Sequence, residues 1–219
     1  MTTIFKEEIT CGVCGEKSEH IVIGSTNTFG SPDLDTRPPG HLRYTIYTWV
    51  QRCPHCGYCS SNIKEVSEVA KAIIKSREYQ VQLTNDKYPK LANSFLCKAM
   101  LEKAKGDLPR AIWTTIHAAW ACDDSKNNES AKKCRIKAVE LIKNAESNGQ
   151  TITDEPEADI AITVDLLRRS GQFNEALQII EQNHGEIKGE IIGKVLEFQK
   201  ELILRSDDQC HTANEALEG

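Results

Sequence analysis

Two short cysteine motifs constrain the fold of this chain more than any other feature. The first reads Cys11-Gly12-Val13-Cys14-Gly15, and the second reads Cys53-Pro54-His55-Cys56-Gly57. In each motif two residues separate the thiols, so the backbone can curl and direct both sulfur atoms to one point. The glycine that follows accommodates the left-handed conformation in which such a curl ends. The spacing therefore predicts one tetrahedral metal site with four thiolate ligands, namely Cys11, Cys14, Cys53 and Cys56.

Zinc is the expected metal, because it readily accepts four sulfur ligands and needs no redox chemistry. A rubredoxin-like iron site is the main alternative, since ligand softness and geometry suit both metals. Cys59 is a further thiol just after the second motif. It could replace Cys56 as a ligand or remain unused in the small core of the module. Disulfide bonds are a third and weaker interpretation.

The composition is that of a soluble protein. Of 219 residues, 39% are hydrophobic and 27% are charged. No apolar run approaches the roughly 20 residues that a membrane helix needs, and the acidic residues Glu7 and Glu8 are not typical of a secretory signal. The nine cysteines are odd in number, and four of them are scattered singly through helical sequence. This usage indicates a metal site and free thiols, so we expect a cytoplasmic protein.

The charge balance disfavours nucleic acid as a partner. The chain carries a formal net charge of −5 at neutral pH, and six acidic side chains outnumber five basic ones in the first 60 residues. Proteins that bind nucleic acid use lysine and arginine to neutralise phosphates. The sequence offers no such excess of positive charge, so a nucleic-acid role is not expected.

The residues around the two motifs show the alternation that is typical of β-strands. Residues 3–10 and 19–24 read as two short strands that flank the first motif. Alternating side chains over Arg43–Gln51 predict a third strand, which leads directly into the second motif. Residues 1–60 are therefore expected to form a three-stranded zinc ribbon. The metal would stabilise this module, because so small a sheet buries little apolar surface.

Residues 61–219 have the 3.6-residue apolar period of a helical domain. A first helix is expected from Ile63, where Asn62 and Glu65 resemble a capping box. Residues 80–87 read as a loop, and the polar tail from Ser206 is expected to fray. Further helices are predicted from Pro89 to about residue 104, from Asp107 onward, and over 129–147, 156–170, 173–183 and 190–204.

Two helix–helix turns in this region share a form. Gly106 and Gly171 each stand at a turn, and an alanine follows five residues later, at Ala111 and Ala176. This form is typical of the turn inside a tetratricopeptide repeat. A generic bundle of helical hairpins is the alternative. The predicted fold class is α+β and mostly α, with a small three-stranded zinc ribbon followed by a tetratricopeptide-like array of helical hairpins.

The loop over residues 26–41 is long and rich in turn-forming residues. It contains four polar side chains that could bind a ligand or perform acid–base chemistry, namely Asp33, Asp35, Arg37 and His41. A structural role is the alternative, in which the aspartates cap turns and Arg37 pairs with a carboxylate or with the anionic metal cluster.

The order of these features resembles an uncharacterised bacterial family, a domain of unknown function with a zinc ribbon followed by tetratricopeptide-like helices. The resemblance rests on the first motif, the loop Ser31-Pro32-Asp33-Leu34-Asp35 with Arg37, the segment with Trp49, and Cys53-Pro54-His55-Cys56-Gly57-Tyr58. It spans most of the chain and implies the four motif cysteines as ligands. It implies no activity.

Three functions remain as hypotheses. The first is a metal-stabilised scaffold or adaptor whose helical hairpins form a concave surface for a protein partner. The second is an enzyme or ligand-binding protein that uses the loop 26–41, and the third is a rubredoxin-like electron carrier. The sequence contains no hydrolase elbow, no phosphate-binding glycine loop and no zinc-protease helix, which favours a role other than catalysis.

Overall fold

Two small antiparallel hairpins precede a series of helices in the computed structural model, which describes residues 2–185 and 187–218. Strands β1 (Thr3–Thr10) and β2 (Lys17–Ser25) pair so that Thr10 lies opposite Lys17, and the first cysteine motif connects them. Strands β3 (Gln51–Arg52) and β4 (Cys59–Ser60) form the second hairpin, which the second motif closes. The described fold is therefore α+β and mostly α.

The predicted strand over Arg43–Gln51 is wrong. Helix α1 (Gly40–Arg43) and a short 3₁₀ turn (Ile46–Thr48) occupy most of this segment, and only its last residue enters β3. The hydroxyl of Thr45 donates to the carbonyl of Leu42 at 2.7 Å, and the hydroxyl of Thr48 donates to the carbonyl of Thr45 at 2.8 Å. Such local bonds compete with strand pairing. The ribbon consequently consists of two two-stranded sheets among the described residues.

The helices follow one another with short connections. Their bounds are α2 (Glu68–Ile73), α3 (Arg77–Leu83), α4 (Lys90–Ala104), α5 (Leu108–Asp124), α6 (Asn128–Ser147), α7 (Pro156–Arg169), α8 (Phe173–Asn183), α9 (Glu190–Leu204) and α10 (Ala213–Glu218). Helices α4 to α9 agree with the predicted ones to within a few residues. The two turns with the shared form are built alike, and both Ala111 and Ala176 are fully buried where neighbouring helices approach.

Three local predictions in the helical region are wrong. Helix α2 begins at Glu68, and the hydroxyl of Ser67 caps it by accepting from the amide of Ala70, whereas Asn62 and Glu65 lie in a turn. Part of the loop expected over 80–87 is helix α3. The described part of the tail, residues 206–218, is folded and not frayed, because it forms α10 and exchanges backbone hydrogen bonds with the loop near Pro32.

A single apolar core joins the ribbon to the helices. It runs from Ile9 and Cys11 through Ile63 and Phe95 to Leu202. The two cysteine motifs therefore pack directly on the helical part. No helix in the described part of the chain is both long enough and apolar enough to cross a membrane.

Candidate metal centre

The first cysteine motif forms a tight turn between β1 and β2. The amide of Cys11 donates to the carbonyl of Glu16 at 2.9 Å, and the amide of Gly15 donates back to the carbonyl of Cys11 at 2.8 Å. Gly15 has a φ of 78°, a conformation that favours glycine. The turn exposes Cys14 and buries Cys11.

The second motif repeats this geometry almost bond for bond. The amide of Cys53 donates to the carbonyl of Tyr58 at 2.9 Å, and the amide of Gly57 donates to the carbonyl of Cys53 at 3.0 Å. Gly57 has a φ of 77°. His55 is exposed at the tip of the turn, facing solvent. The same sequence spacing has therefore produced the same local structure twice.

The two turns bring their four sulfur atoms together. All four Sγ atoms lie within 4.8 Å of one another, and the Cys11–Cys56 and Cys14–Cys53 pairs are each separated by 3.7 Å. A tetrahedral ion with metal–sulfur bonds of about 2.3 Å requires sulfur–sulfur separations of about 3.8 Å. The donor set and its spacing therefore fit a four-thiolate ion such as zinc. Iron would fit equally, so the arrangement does not identify the metal.

The surroundings of Cys11, Cys53 and Cys56 shift the pKa values of their thiols in different directions. Burial raises the pKa of Cys11 and of Cys56. Burial also acts to raise the pKa of Cys53, but the backbone amides of Cys56 and His55 donate toward its sulfur and leave that pKa below its usual value. Amides directed at the sulfur favour the thiolate, which is the form that binds a metal.

Cys59 lies outside the group of four. It is fully buried, and its thiol donates to the carbonyl of Gly57 at 3.3 Å. Its amide donates to the hydroxyl of Tyr79 at 3.1 Å, and that hydroxyl donates to the carbonyl of Gly57 at 2.9 Å. Cys56, and not Cys59, is therefore the residue placed to complete the tetrahedron. All nine cysteines are within the described residues, and all are free thiols.

The loop aspartates lie in buried ion pairs rather than in solvent. Asp33 accepts from the guanidinium of Arg43 at 2.8 Å and from the thiol of Cys210 at 3.1 Å. Burial raises the pKa of the Cys210 thiol to about 12, and its hydrogen bond to Asp33 acts in the same direction. The thiol is therefore a protonated donor that ties the loop to the segment before α10.

Asp35 is the centre of a second set of contacts. One of its oxygens accepts from the indole of Trp120 at 2.7 Å and from the guanidinium of Arg169 at 2.9 Å. Burial acts to raise the pKa of Asp35, but the charges of Arg169 and Arg135 outweigh it and leave that pKa below its usual value. The carboxylate is therefore ionised in the interior, where the positive charges of Arg169 and Arg135 balance its negative charge.

The other two loop residues, Arg37 and His41, lie in different environments. Arg37 is buried and binds both carboxylate oxygens of Asp124, at 2.7 and 2.8 Å. His41 is exposed, and its side chain makes no hydrogen bond to any described residue. The structure thus gathers Asp33, Asp35 and Arg37 under the helices and leaves His41 apart.

A polar cavity of about 350 Å³ opens over this network, beside Arg135, Arg169 and Cys210. Both guanidiniums already bind the carboxylate of Asp123. Lys132 at the rim pairs with Asp208 at 2.8 Å. The three cations of the lining are thus each paired with a carboxylate, whereas Glu129 makes no ion pair with any described residue. The cavity therefore offers no unpaired cation to an anionic ligand.

A second cavity, of about 660 Å³, is a groove between helices α4 and α6 and the turn from α2 to α3. We call it the interhelical groove. Its apolar surface comes from Ile73, Met100, Ala104 and Leu141. Its charged side chains are Glu78, Lys103, Lys137 and Glu140.

Sequence reasoning missed the residues that connect these regions. The cationic partners of the loop, Arg43, Arg135 and Arg169, lie far apart along the chain, and the pattern of a helix does not show which arginine turns inward. Tyr79 belongs to no sequence motif, because its hydroxyl contacts the second cysteine motif only in the folded structure. A buried tyrosine after a polar capping residue is too common a pattern to have been diagnostic.

Comparison with known protein families gives a match over most of the chain. Residues 4–203 match the family described as an uncharacterised protein conserved in bacteria (DUF2225). No curated protein and no solved structure matches the chain.

Proposed function

We propose that this chain, which belongs to the DUF2225 family of bacterial proteins, is a metal-stabilised scaffold that binds a partner protein in the interhelical groove. The single observation that carries this proposal is the groove itself. An apolar surface edged by charges of both signs, on a rigid set of helices, suits the recognition of another protein.

The partner segment that fits best is an amphipathic helix. Ile73, Met100 and Leu141 would receive its apolar side, in the way that helical ligands enter hydrophobic grooves. Lys103 and Lys137 would face its acidic residues, while Glu78 and Glu140 would face its basic ones. The packing of each helix from α4 to α8 against the next one in sequence supports a tetratricopeptide-like array as the architecture behind the groove.

The four-thiolate site takes a structural part in this proposal. Its four sulfurs complete a closed tetrahedron, which leaves no open position for substrate or water. Zinc is the proposed occupant, and the free thiols are compatible with a reducing compartment such as the cytoplasm. Iron would make the protein coloured and redox-active. A colourless preparation with one zinc per chain supports the scaffold, and a red preparation with one iron per chain supports the electron carrier.

Catalysis or ligand binding by the loop is less well supported. Asp33, Asp35 and Arg37 are already committed to ion pairs with residues of the same chain. An acid–base group normally needs access to the substrate proton. The contacts of these three side chains instead suit a loop that holds the ribbon to the helices.

The groove can be tested with two matched variants. Met100→Glu places a charge on the apolar surface of the groove, whereas Ile191→Glu places the same charge on an exposed apolar residue of α9 away from it. Each tagged variant and the wild-type chain are used to isolate binding proteins from the source bacterium. A partner lost with Met100→Glu and retained with Ile191→Glu supports the proposal. A partner that survives Met100→Glu, or no partner at all, contradicts it.

A further inference from the structure

We infer that metal occupancy controls the interhelical groove, because the second cysteine motif holds in place helix α3, whose first turn forms one wall of the groove together with the end of α2. With metal bound, α3 stays docked and the groove is complete; without metal, α3 detaches while α4 to α6 remain folded. The functional meaning of this inference rests on the proposed function. The docking of α3 can be measured independently of any partner.

Tyr79 makes the polar part of the connection. Its hydroxyl donates to the carbonyl of Gly57 and accepts from the amide of Cys59, at 2.9 and 3.1 Å. Both groups belong to the stretch that directly follows Cys56. Tyr79 is fully buried, so neither hydrogen bond can be exchanged for one with water without opening the structure.

Leu83 makes the apolar part of the connection between α3 and the second cysteine motif. Gly57 lies so close beneath it that a Cβ atom at this glycine would stand 2.3 Å from Cδ2 of Leu83. The second motif and one face of α3 therefore fit each other without spare space. A motif that loses its curled shape can no longer offer this surface.

The wall belongs to two short helices. Helices α2 and α3 have only six and seven residues, whereas α4, α5 and α6 have 15, 17 and 20. Isolated helices shorter than about 12 residues are marginal in water, so α2 and α3 depend on the surfaces to which they dock. Ile73 of α2, Ser76 of the turn and Glu78 of α3 line the groove.

These contacts define a two-state element. The metal favours the curled motif, the curled motif favours docked α3, and docked α3 completes the groove. By linkage, a partner that binds only the complete groove must also raise the affinity for the metal, and by the same factor. The groove would then be available in metal-replete cells and lost on metal depletion.

Chelation of the full-length protein tests the docking directly by hydrogen–deuterium exchange. We expect amides of residues 77–83 to exchange at least about tenfold faster after removal of the metal, which corresponds to the loss of about one buried hydrogen bond. Amides of α5 and α6 should keep their rates. Unchanged exchange in α3 on metal removal overturns the inference, and so does equal acceleration in α5 and α6, because that result means global unfolding.

Two tyrosine variants provide the second test. Tyr79→Phe removes the hydroxyl that contacts the motif, whereas Tyr88→Phe removes one that makes no hydrogen bond to the described residues. We expect Tyr79→Phe to retain one metal per chain and to show exchange in α3 about tenfold faster than wild type. Tyr88→Phe should match wild type. Equal exchange in the two variants overturns the role of Tyr79.

The two proposals fail separately. If metal removal speeds hydrogen–deuterium exchange in α3 but binding of no partner depends on Met100, the coupling stands and the proposed function fails. If binding of a partner depends on Met100 but metal removal does not change hydrogen–deuterium exchange in α3, the proposed function stands and the coupling fails.

Discussion

The indole nitrogen of Trp120 and the carboxylate of Asp35 form a hydrogen bond of 2.7 Å across 85 residues of sequence. The same carboxylate oxygen also accepts from Arg169, at 2.9 Å. This contact fixes the loop that follows β2 to helices α5 and α7. The loop is therefore built into the interior of the protein.

Replacing Asp35 by alanine should destabilise the protein strongly. The change leaves Arg169 buried beside one carboxylate instead of two, and breaking a buried ion pair on one side typically costs about 3–5 kcal/mol. Urea unfolding at neutral pH measures the effect. Lys6→Ala, which removes an exposed pair with Glu19, is the control and should leave the free energy of unfolding almost unchanged. Equal effects of the two changes would show that the buried pair is not important.

The two motif glycines should respond unequally to alanine. Gly15 and Gly57 share a positive φ, so each change incurs left-handed strain of about 1–2 kcal/mol. A Cβ at Gly15 meets open space, whereas a Cβ at Gly57 overlaps Leu83, which adds about 1–3 kcal/mol. Thermal unfolding of the metal-loaded proteins compares them. In the double variant Gly57→Ala/Leu83→Ala the costs should be less than additive.

Metal content should separate the ligands from the extra thiol. Cys53→Ser is expected to lose most of the metal, and with it the binding energy, on the order of 10 kcal/mol, that holds small four-thiolate modules folded. Cys59→Ala should retain one metal per chain, because Cys59 lies outside the group of four. Elemental analysis after gel filtration gives the ratio. A metal-free Cys59→Ala protein would contradict the assignment of Cys56 as the fourth ligand.

His117 should make the stability depend on pH. Burial, assisted by the charge of Lys98, lowers the pKa of His117 to about 3, and its ring packs between Trp49, Phe95 and Trp120. An unfolded histidine has a pKa near 6.5, so the unfolded chain binds a proton below that pH that the folded chain does not. Stability is therefore full above about pH 6.5 and falls toward pH 3, by at most about 1.4 kcal/mol per pH unit from this residue.

His117→Phe keeps the aromatic contacts and removes this proton. Urea unfolding at pH 7 and pH 5 should show a smaller loss of stability for the variant than for the wild-type chain. An equal loss would mean that His117 does not carry the pH dependence over this window.

The metal centre could be predicted from sequence because its geometry is local. Two residues between cysteines and a glycine after them determine each turn, and the structure brings the four thiols together as the spacing indicates. The long helices could be predicted for a similar reason, since their apolar period extends over several turns. The coarse fold class followed from these two signals.

The remaining features depend on contacts that are distant in sequence. The alternation over 43–51 resembled a strand, but bonds from Thr45 and Thr48 to nearby carbonyls stabilised turns instead. The tail after Ser206 looked too polar to fold, yet its backbone pairs with the loop at Asp33 and Leu34. Polar segments of this kind are ordered by partners that periodicity cannot identify.

The pairing of Asp33 with Thr212 and Cys210 has a consequence for biosynthesis. The four candidate ligands precede this partner segment in the chain, so a ribosome-bound nascent chain presents them to the ion before the partner segment is synthesised. The loop that contains Asp33 can form its β-bridge only after a partner segment 177 or more residues downstream has been synthesised. Translation would thus impose an order in which the ion is acquired first and the loop is locked last.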